Sequence, residues 1–260
     1  MKTINWYPGH INKSIREMEL IVKKIDIVIV LLDARAPFST YIDLFQTINN
    51  KKKFLIVITK IDLAPEEATK KALEHFKNLH PSIALNLKEN TSKGLQKILK
   101  ELSKIKIKSL IPKVMIVGVP NVGKSTLINF LSKKSKAIAQ DRAGVTKKMS
   151  WFQIDKYYIM DTPGILLPKF EDKNINYRLA IIGSIKQSIL PYDEVGLYLL
   201  DFLKSCSILK FDLSEEYADI KAKEQHLSLD EYYRKLLYDL QKGRFGKVYL
   251  DDFSWKFEDD

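Results

Sequence analysis

Apolar residues in this chain gather into short continuous runs separated by longer amphipathic stretches. Six segments read as strands: Ile25–Leu32, Lys53–Thr59, Ser82–Leu87, Lys113–Gly118, Met149–Ile154 and Tyr157–Met160. The first, second and fourth are uninterrupted Ile/Val/Leu runs, the pattern of parallel strands covered on both faces. Between the segments, apolar positions recur at helical spacing over roughly 11–24, 40–50, 65–79, 92–104 and 124–134. This alternation, sustained to about residue 165, predicts a doubly wound, mostly parallel α/β sheet. The stretch from Pro168 to Asn174 is polar and strand-breaking and reads as a linker. After it only helical spacing remains, over Tyr177–Ile189, Glu194–Ser205, Ser214–Lys223 and Ser228–Lys242. The predicted division is an α/β domain over 1–167 and a small all-helical domain over 174–260.

Composition narrows the class. With 260 residues, 45% hydrophobic and 29% charged, the chain can build a core, which excludes a disordered or collagenous protein. Its longest aliphatic run, Ile27–Leu32, is far too short to cross a bilayer, and its first residues carry no signal-peptide pattern. A single cysteine, Cys206, forms no internal disulfide and reads as a buried small hydrophobe. A soluble, cytoplasmic protein is expected. Charge is uneven: residues 1–167 hold 29 basic and 14 acidic side chains, whereas residues 168–260 hold 14 and 18. So basic a half attracts polyanions, nucleic acid above all. Solvated lysine-rich faces explain the count equally well until other features are added.

Gly118-Val119-Pro120-Asn121-Val122-Gly123-Lys124-Ser125 fits G-x4-G-K-[ST], after an apolar strand and before a helical run, the context a P-loop requires. Chance alone places those four fixed residues in roughly one chain in a hundred of this length. The glycines let backbone N–H groups wrap phosphate oxygens at a helix N-terminus. Lys124 would neutralise the β- and γ-phosphates and the Ser125 hydroxyl would ligate Mg²⁺. Asn121, Val122, Gly123 and Thr126 complete the expected phosphate contacts.

The base is indicated by a second motif. Thr59-Lys60-Ile61-Asp62 ends another apolar strand and resembles the N-K-x-D guanine motif, with Thr59 in place of Asn. A carboxylate at Asp62 accepts from guanine N1–H and the exocyclic amine, whereas adenine has no such donor pair. Lys60 would lay its stem over the base. Asp161-Thr162-Pro163-Gly164 matches D-x-x-G, 43 residues after Gly118, with Gly144-Val145-Thr146 between. There Asp161 would hold a Mg²⁺-bound water, Gly164 N–H would face the γ-phosphate, and Thr146 would close over Mg²⁺. In ordinary GTPases the guanine motif comes last. Here it precedes the P-loop, which is a circular permutation, with the old termini rejoined through Lys100–Pro112.

The chain resembles the circularly permuted GTPases of the ribosome biogenesis GTPase A (YlqF) family. Besides the nucleotide motifs, Trp6-Tyr7-Pro8-Gly9-His10, Asp33-Ala34-Arg35-Ala36-Pro37, Leu179-Ala180 with Gly183-Ser184-Ile185-Lys186, and Gly243-Arg244-Phe245-Gly246-Lys247 carry the likeness. The resemblance implies a cytoplasmic GTPase using GTP/GDP and Mg²⁺ in late assembly of the large ribosomal subunit, with a helical, RNA-contacting C-terminal domain. Membrane and DNA are not expected partners. It places the guanine-supporting loop near Asn86, and it implies that Asn121 helps hold K⁺. Ile165 follows D-T-P-G where Ras-like enzymes have a water-positioning glutamine. His10 is the candidate to orient the attacking water, the alternative being a cap on the helix from Ile11. A GTP-binding RNA switch with little hydrolysis and a non-ribosomal partner is the competing reading of the whole chain.

Overall fold

A computed structural model describes residues 21–41, 52–89, 91–132, 151–160, 172–206 and 215–251. The six predicted runs form six strands: β1 (Ile27–Asp33), β2 (Lys53–Thr59), β3 (Ser82–Ala84), β4 (Lys113–Val117), β5 (Trp151–Ile154) and β6 (Tyr157–Met160). They make one sheet in the order β3-β2-β1-β4-β6-β5, all parallel except the β5–β6 pair. β1 lies between β2 and β4 and is buried along its whole length, which explains its unbroken apolar run. Its side chains alternate between two apolar clusters. Ile27, Ile29 and Leu31 face one, while Val28, Val30 and Leu32 face the other.

The helices are α1 (Pro37–Thr40), α2 (Glu66–Leu79), α3 (Thr91–Lys104), α4 (Lys124–Ser132), α5 (Lys173–Ile181), α6 (Tyr192–Ser205), α7 (Glu215–Glu224) and α8 (Leu229–Gln241). α8 starts at a capping box, in which Ser228 and Glu231 satisfy each other's backbone N–H groups. The expected helix Tyr177–Ile189 is corrected. α5 begins earlier, where the Asp172 carboxylate accepts from Asn174 N–H, inside the expected linker. It ends earlier because Gly183 takes φ +82°, a left-handed turn that closes with Ser184 N–H donating to Leu179 O. A short 3₁₀ turn, Gln187–Ile189, follows. The expected helices over 11–24 and 40–50 fall largely outside the described residues.

Leu179, Leu199, Leu236 and Leu240 belong to the same apolar cluster as Ile29 and Leu31, so the C-terminal helices pack into one core with the sheet. α6 and α8 approach so closely that a Cβ on Gly196 would lie 2.2 Å from the Tyr233 ring. Cys206, expected to be buried, is exposed, because it caps the C-terminal end of α6 rather than lying on its apolar side. Among the described residues no helix is long and apolar enough to cross a membrane.

Candidate functional site

The parallel register of β1 and β2 ends with Asp33 beside Thr59, and that of β1 and β4 sets the loop after Val117 alongside. The guanine-like motif and the P-loop, 59 residues apart at Thr59 and Gly118, therefore leave the two strands that flank β1, at the same end of the sheet. Strand ends of this kind are where ligands bind in open α/β folds.

The P-loop is shaped by its backbone. Gly118 (φ +154°) and Gly123 (φ +110°) hold conformations that side chains resist, and Asn121 stands at φ +60°. A Cβ on Gly118 would meet Leu31 O at 2.8 Å. Lys124 is buried, with its Nζ donating to Gly118 O (2.8 Å) and Val119 O (2.9 Å), so the ammonium lies across the mouth of its own loop. Ser125 and Thr126 are exposed in the first turn of α4. Val122 N–H donates to Val119 O, which tightens the turn.

Thr59 joins the two motifs. Fully buried, its hydroxyl lies 2.6 Å from Val122 O and 2.9 Å from Leu32 O. The threonine that departs from the usual asparagine is thus tied to the phosphate loop. Lys60 takes a left-handed conformation (φ 56°) and leads into a 3₁₀ turn, Ile61–Leu63. One Asp62 oxygen pairs with Lys88 Nζ at 3.1 Å, while the other, Oδ1, is buried without a hydrogen-bond partner among the described residues. An acceptor held this way has the chemistry to receive the guanine donor pair. The Asn86 side chain accepts from Lys88 N–H, shaping the loop that presents Lys88. His10, Thr146, Asp161 and Gly164 lie outside the described residues.

Sequence reasoning gave no role to a buried ionic cluster beneath Lys60. Asp33 receives Arg35 Nε at 2.9 Å and Nη2 at 2.7 Å, and Lys60 Nζ at 2.9 Å. Burial alone would raise the Asp33 carboxyl, but the charges of Arg35 and Lys60 outweigh it and hold the group well below the usual carboxylate range. Burial pushes the Lys60 ammonium down, against the pull of Asp33. The signal was available: a charged pair closing a fully apolar strand is too costly to be incidental. Lys88 falls in the loop expected to support the base, but its pairing with Asp62 was not foreseen.

The C-terminal turn of α5 reaches the site as well. Three successive carbonyls there accept from three distant side chains. Ile181 O takes Gln241 Nε2 (3.1 Å), Ile182 O takes Arg35 Nη2 (3.3 Å), and Gly183 O takes Asn121 Nδ2 (2.6 Å).

A phosphate loop between β4 and α4, with a guanine-type motif upstream in sequence at the end of β2, on the other side of β1, defines a circularly permuted P-loop GTPase, an enzyme that binds guanine nucleotide and hydrolyses GTP. Two family descriptions match: "RsgA GTPase" over residues 10–171 and "50S ribosome-binding GTPase" over residues 113–232. Ribosome biogenesis GTPase A of Bacillus cereus is 40% identical over 212 residues, covering 77% of this chain and 72% of that protein. The probable ribosome biogenesis GTPase A of Mycoplasma genitalium is 31% identical over 262 residues, covering 94% and 95%. A GDP-bound structure of YlqF from T. maritima superposes with TM-score 0.71 at 27% identity, over 92% of this chain and all of that one. The chain belongs to the ribosome biogenesis GTPase A family.

Proposed function

We propose that this GTPase acts in the cytoplasm as an assembly factor for the large ribosomal subunit, binding its precursor in the GTP state and leaving after hydrolysis. The observation that carries the RNA-binding half of the reading is on α8. Tyr238 is 46% exposed, with Lys242 Nζ and the Arg244 guanidinium each 5.3 Å from its ring centroid. An exposed ring flanked by two cations suits an unstacked base and its phosphates. Arg244 is also held by Asp239, which fixes the edge of this surface. The name of the relatives and the 50S-binding description point to the same partner.

In this reading residues 1–167 bind nucleotide and residues 174–260 carry the RNA contact. Lys60 and Asp62 grip the base, with Asn86 supporting the loop beside it. Residues 121–126 cradle the phosphates, and Lys124 exchanges its loop carbonyls for phosphate oxygens. The exposed Ser125 hydroxyl, with Asp161 and Thr146, would hold Mg²⁺, which supplies charge neutralisation at the phosphates. Asn121, its Nδ2 committed to Gly183 O, keeps its amide oxygen for K⁺. His10 and Gly164 would face the attacking water and the γ-phosphate.

Co-sedimentation with 50S precursor particles tests the proposal. Retention is expected with a non-hydrolysable GTP analogue and not with GDP, falling steeply as salt rises. Tyr238→Ala combined with Lys242→Glu should release the protein from the particle with GTP hydrolysis intact. Equal retention in both nucleotide states, or by that double variant, refutes the reading.

A further inference from the structure

We propose that Val248–Asp251 is a strap that positions the guanine-reading loop, which makes Asp251 a positioning residue for base recognition. The proposal rests on the reading of Lys60 and Asp62 as the base contacts.

The strap's two backbone bonds end on residues that bracket those contacts. Val248 N–H donates to Leu63 O at 3.0 Å, immediately after Asp62. Leu250 N–H donates to Arg35 O at 2.7 Å, and Arg35 holds the Asp33 carboxylate that pairs with Lys60. Asp251 pins the far end to α1. Its carboxylate accepts from Phe38 N–H (2.6 Å), from Ser39 N–H (3.1 Å) and from the Ser39 hydroxyl, and Arg178 Nη1 lies 3.5 Å away. Val248, Leu250 and Asp251 are all buried, the two apolar side chains within the main cluster. The turn leading into the strap presses on the same residue, since a Cβ on Gly243 would lie 2.9 Å from Leu63 Cδ2.

The base loop has little of its own to hold it. Lys60 is left-handed, a 3₁₀ turn follows, and within the turn Leu63 N–H donates to Lys60 O. Among the described residues the Asp62 carboxylate is held through one oxygen, by the exposed Lys88, and its Oδ1 has no hydrogen-bond partner. Beyond that exposed ion pair, its aim depends on what grips the backbone at Leu63, and the strap is that grip. Both matched family descriptions stop before the strap, at residues 171 and 232.

GDP and IDP affinities of the full chain test this, because IDP keeps both phosphates but lacks the exocyclic amine that Asp62 reads. Asp251→Ala should weaken GDP about tenfold and IDP about twofold, so that the preference for GDP falls about fivefold. Asp251→Asn keeps an acceptor oxygen toward Phe38 and Ser39 and should restore most of the preference. Should Asp251→Ala fail to fold, Ser39→Ala removes one donor from the carboxylate and gives a smaller shift in the same direction. Parallel losses for GDP and IDP, or no loss for either, overturn the strap. Asp62→Asn serves as the reference. If it abolishes the preference while Asp251→Ala preserves it, the strap alone is wrong. If Asp62→Asn leaves the preference intact, the base reading fails and the strap with it.

Discussion

Replacing Thr59 by valine removes one hydroxyl and little else, because the two side chains share a shape and Thr59 is fully buried. What disappears is the tie to Val122 O at 2.6 Å and Leu32 O at 2.9 Å. One proton serves two carbonyls, and the shorter contact marks Val122 as its main acceptor. Val122 is itself buried, so its carbonyl loses a partner without gaining water. Leaving such a group unsatisfied costs about 2 kcal/mol, of which the hydrogen bond's net worth is about half. For a chain of this size that lowers the melting temperature by about 5 °C. The bond also joins the residue before Lys60 to the residue before Gly123, the two halves of the nucleotide site. If half of the cost falls on the bound state, GDP affinity drops about fivefold. Thermal unfolding with and without GDP, together with calorimetric GDP binding, measures both effects. Thr59→Ser, which keeps the hydroxyl, should retain the wild-type affinity while losing some stability. An unchanged melting temperature and affinity in Thr59→Val would refute the tie. A lowered melting temperature with an unchanged GDP-induced rise would reduce it to a packing feature.

Asp62→Asn should exchange the preference for guanine nucleotides toward xanthine nucleotides, whose edge offers an acceptor where guanine has a donor, and competition between GDP and XDP reads this directly. Asn121→Gly keeps the left-handed backbone at that position while deleting the amide. GTP affinity should then stay unchanged and the rate advantage of K⁺ over Na⁺ should vanish, whereas a retained advantage removes the metal role of Asn121. Burial raises the Asp251 carboxyl against the hydrogen bonds of Ser39, so the folded protein holds that proton more tightly than the unfolded chain does. Its stabilising contribution is full below the ordinary carboxylate pKa of about 4 and is lost as pH rises through the raised value. Urea midpoints of wild type minus Asp251→Asn should accordingly decrease from acidic to neutral pH, and a difference that grows with pH would be the wrong sign.

Much of the fold was legible because burial on both faces leaves strands no polar positions. β2 and β6 have the bounds that their apolar runs predict, and β1 differs in starting at Ile27 rather than Ile25 and in running on to Asp33. The P-loop was legible for a different reason: its glycines and lysine answer local backbone and charge needs that show within eight residues. Gly183 was a local signal passed over, since the glycine that ends α5 stands in plain view inside a stretch read as one helix. The partners of Thr59, Asn121 and Asp251 were of another kind. Val122, Gly183 and Ser39 lie 63, 62 and 212 residues away from them, and no periodicity or motif spacing encodes contacts that only the folded sheet creates. Arg35 falls between these cases: its burial could be suspected beside Asp33, but its bond to Ile182 O could not.

Permutation gives those distant contacts their physical sense. In the order found here the chain runs from β6 through the D-T-P-G segment directly into α5, so the helical region is the continuation of the part of a GTPase that responds to the γ-phosphate. Such a segment needs a fixed point downstream. The turn at Ile181–Gly183 provides one, because its three carbonyls are taken up by α8, by the Arg35 cluster under the base loop and by the P-loop itself. At about 1 kcal/mol for each neutral bond and rather more for the charged one, the three together contribute about 4 kcal/mol. That is a substantial part of the 5–15 kcal/mol that typically stabilises a whole domain. α5 therefore cannot swing away as a unit without releasing the P-loop asparagine and the guanidinium that supports Lys60. The basic turn that follows α8 lies downstream of that fixed point.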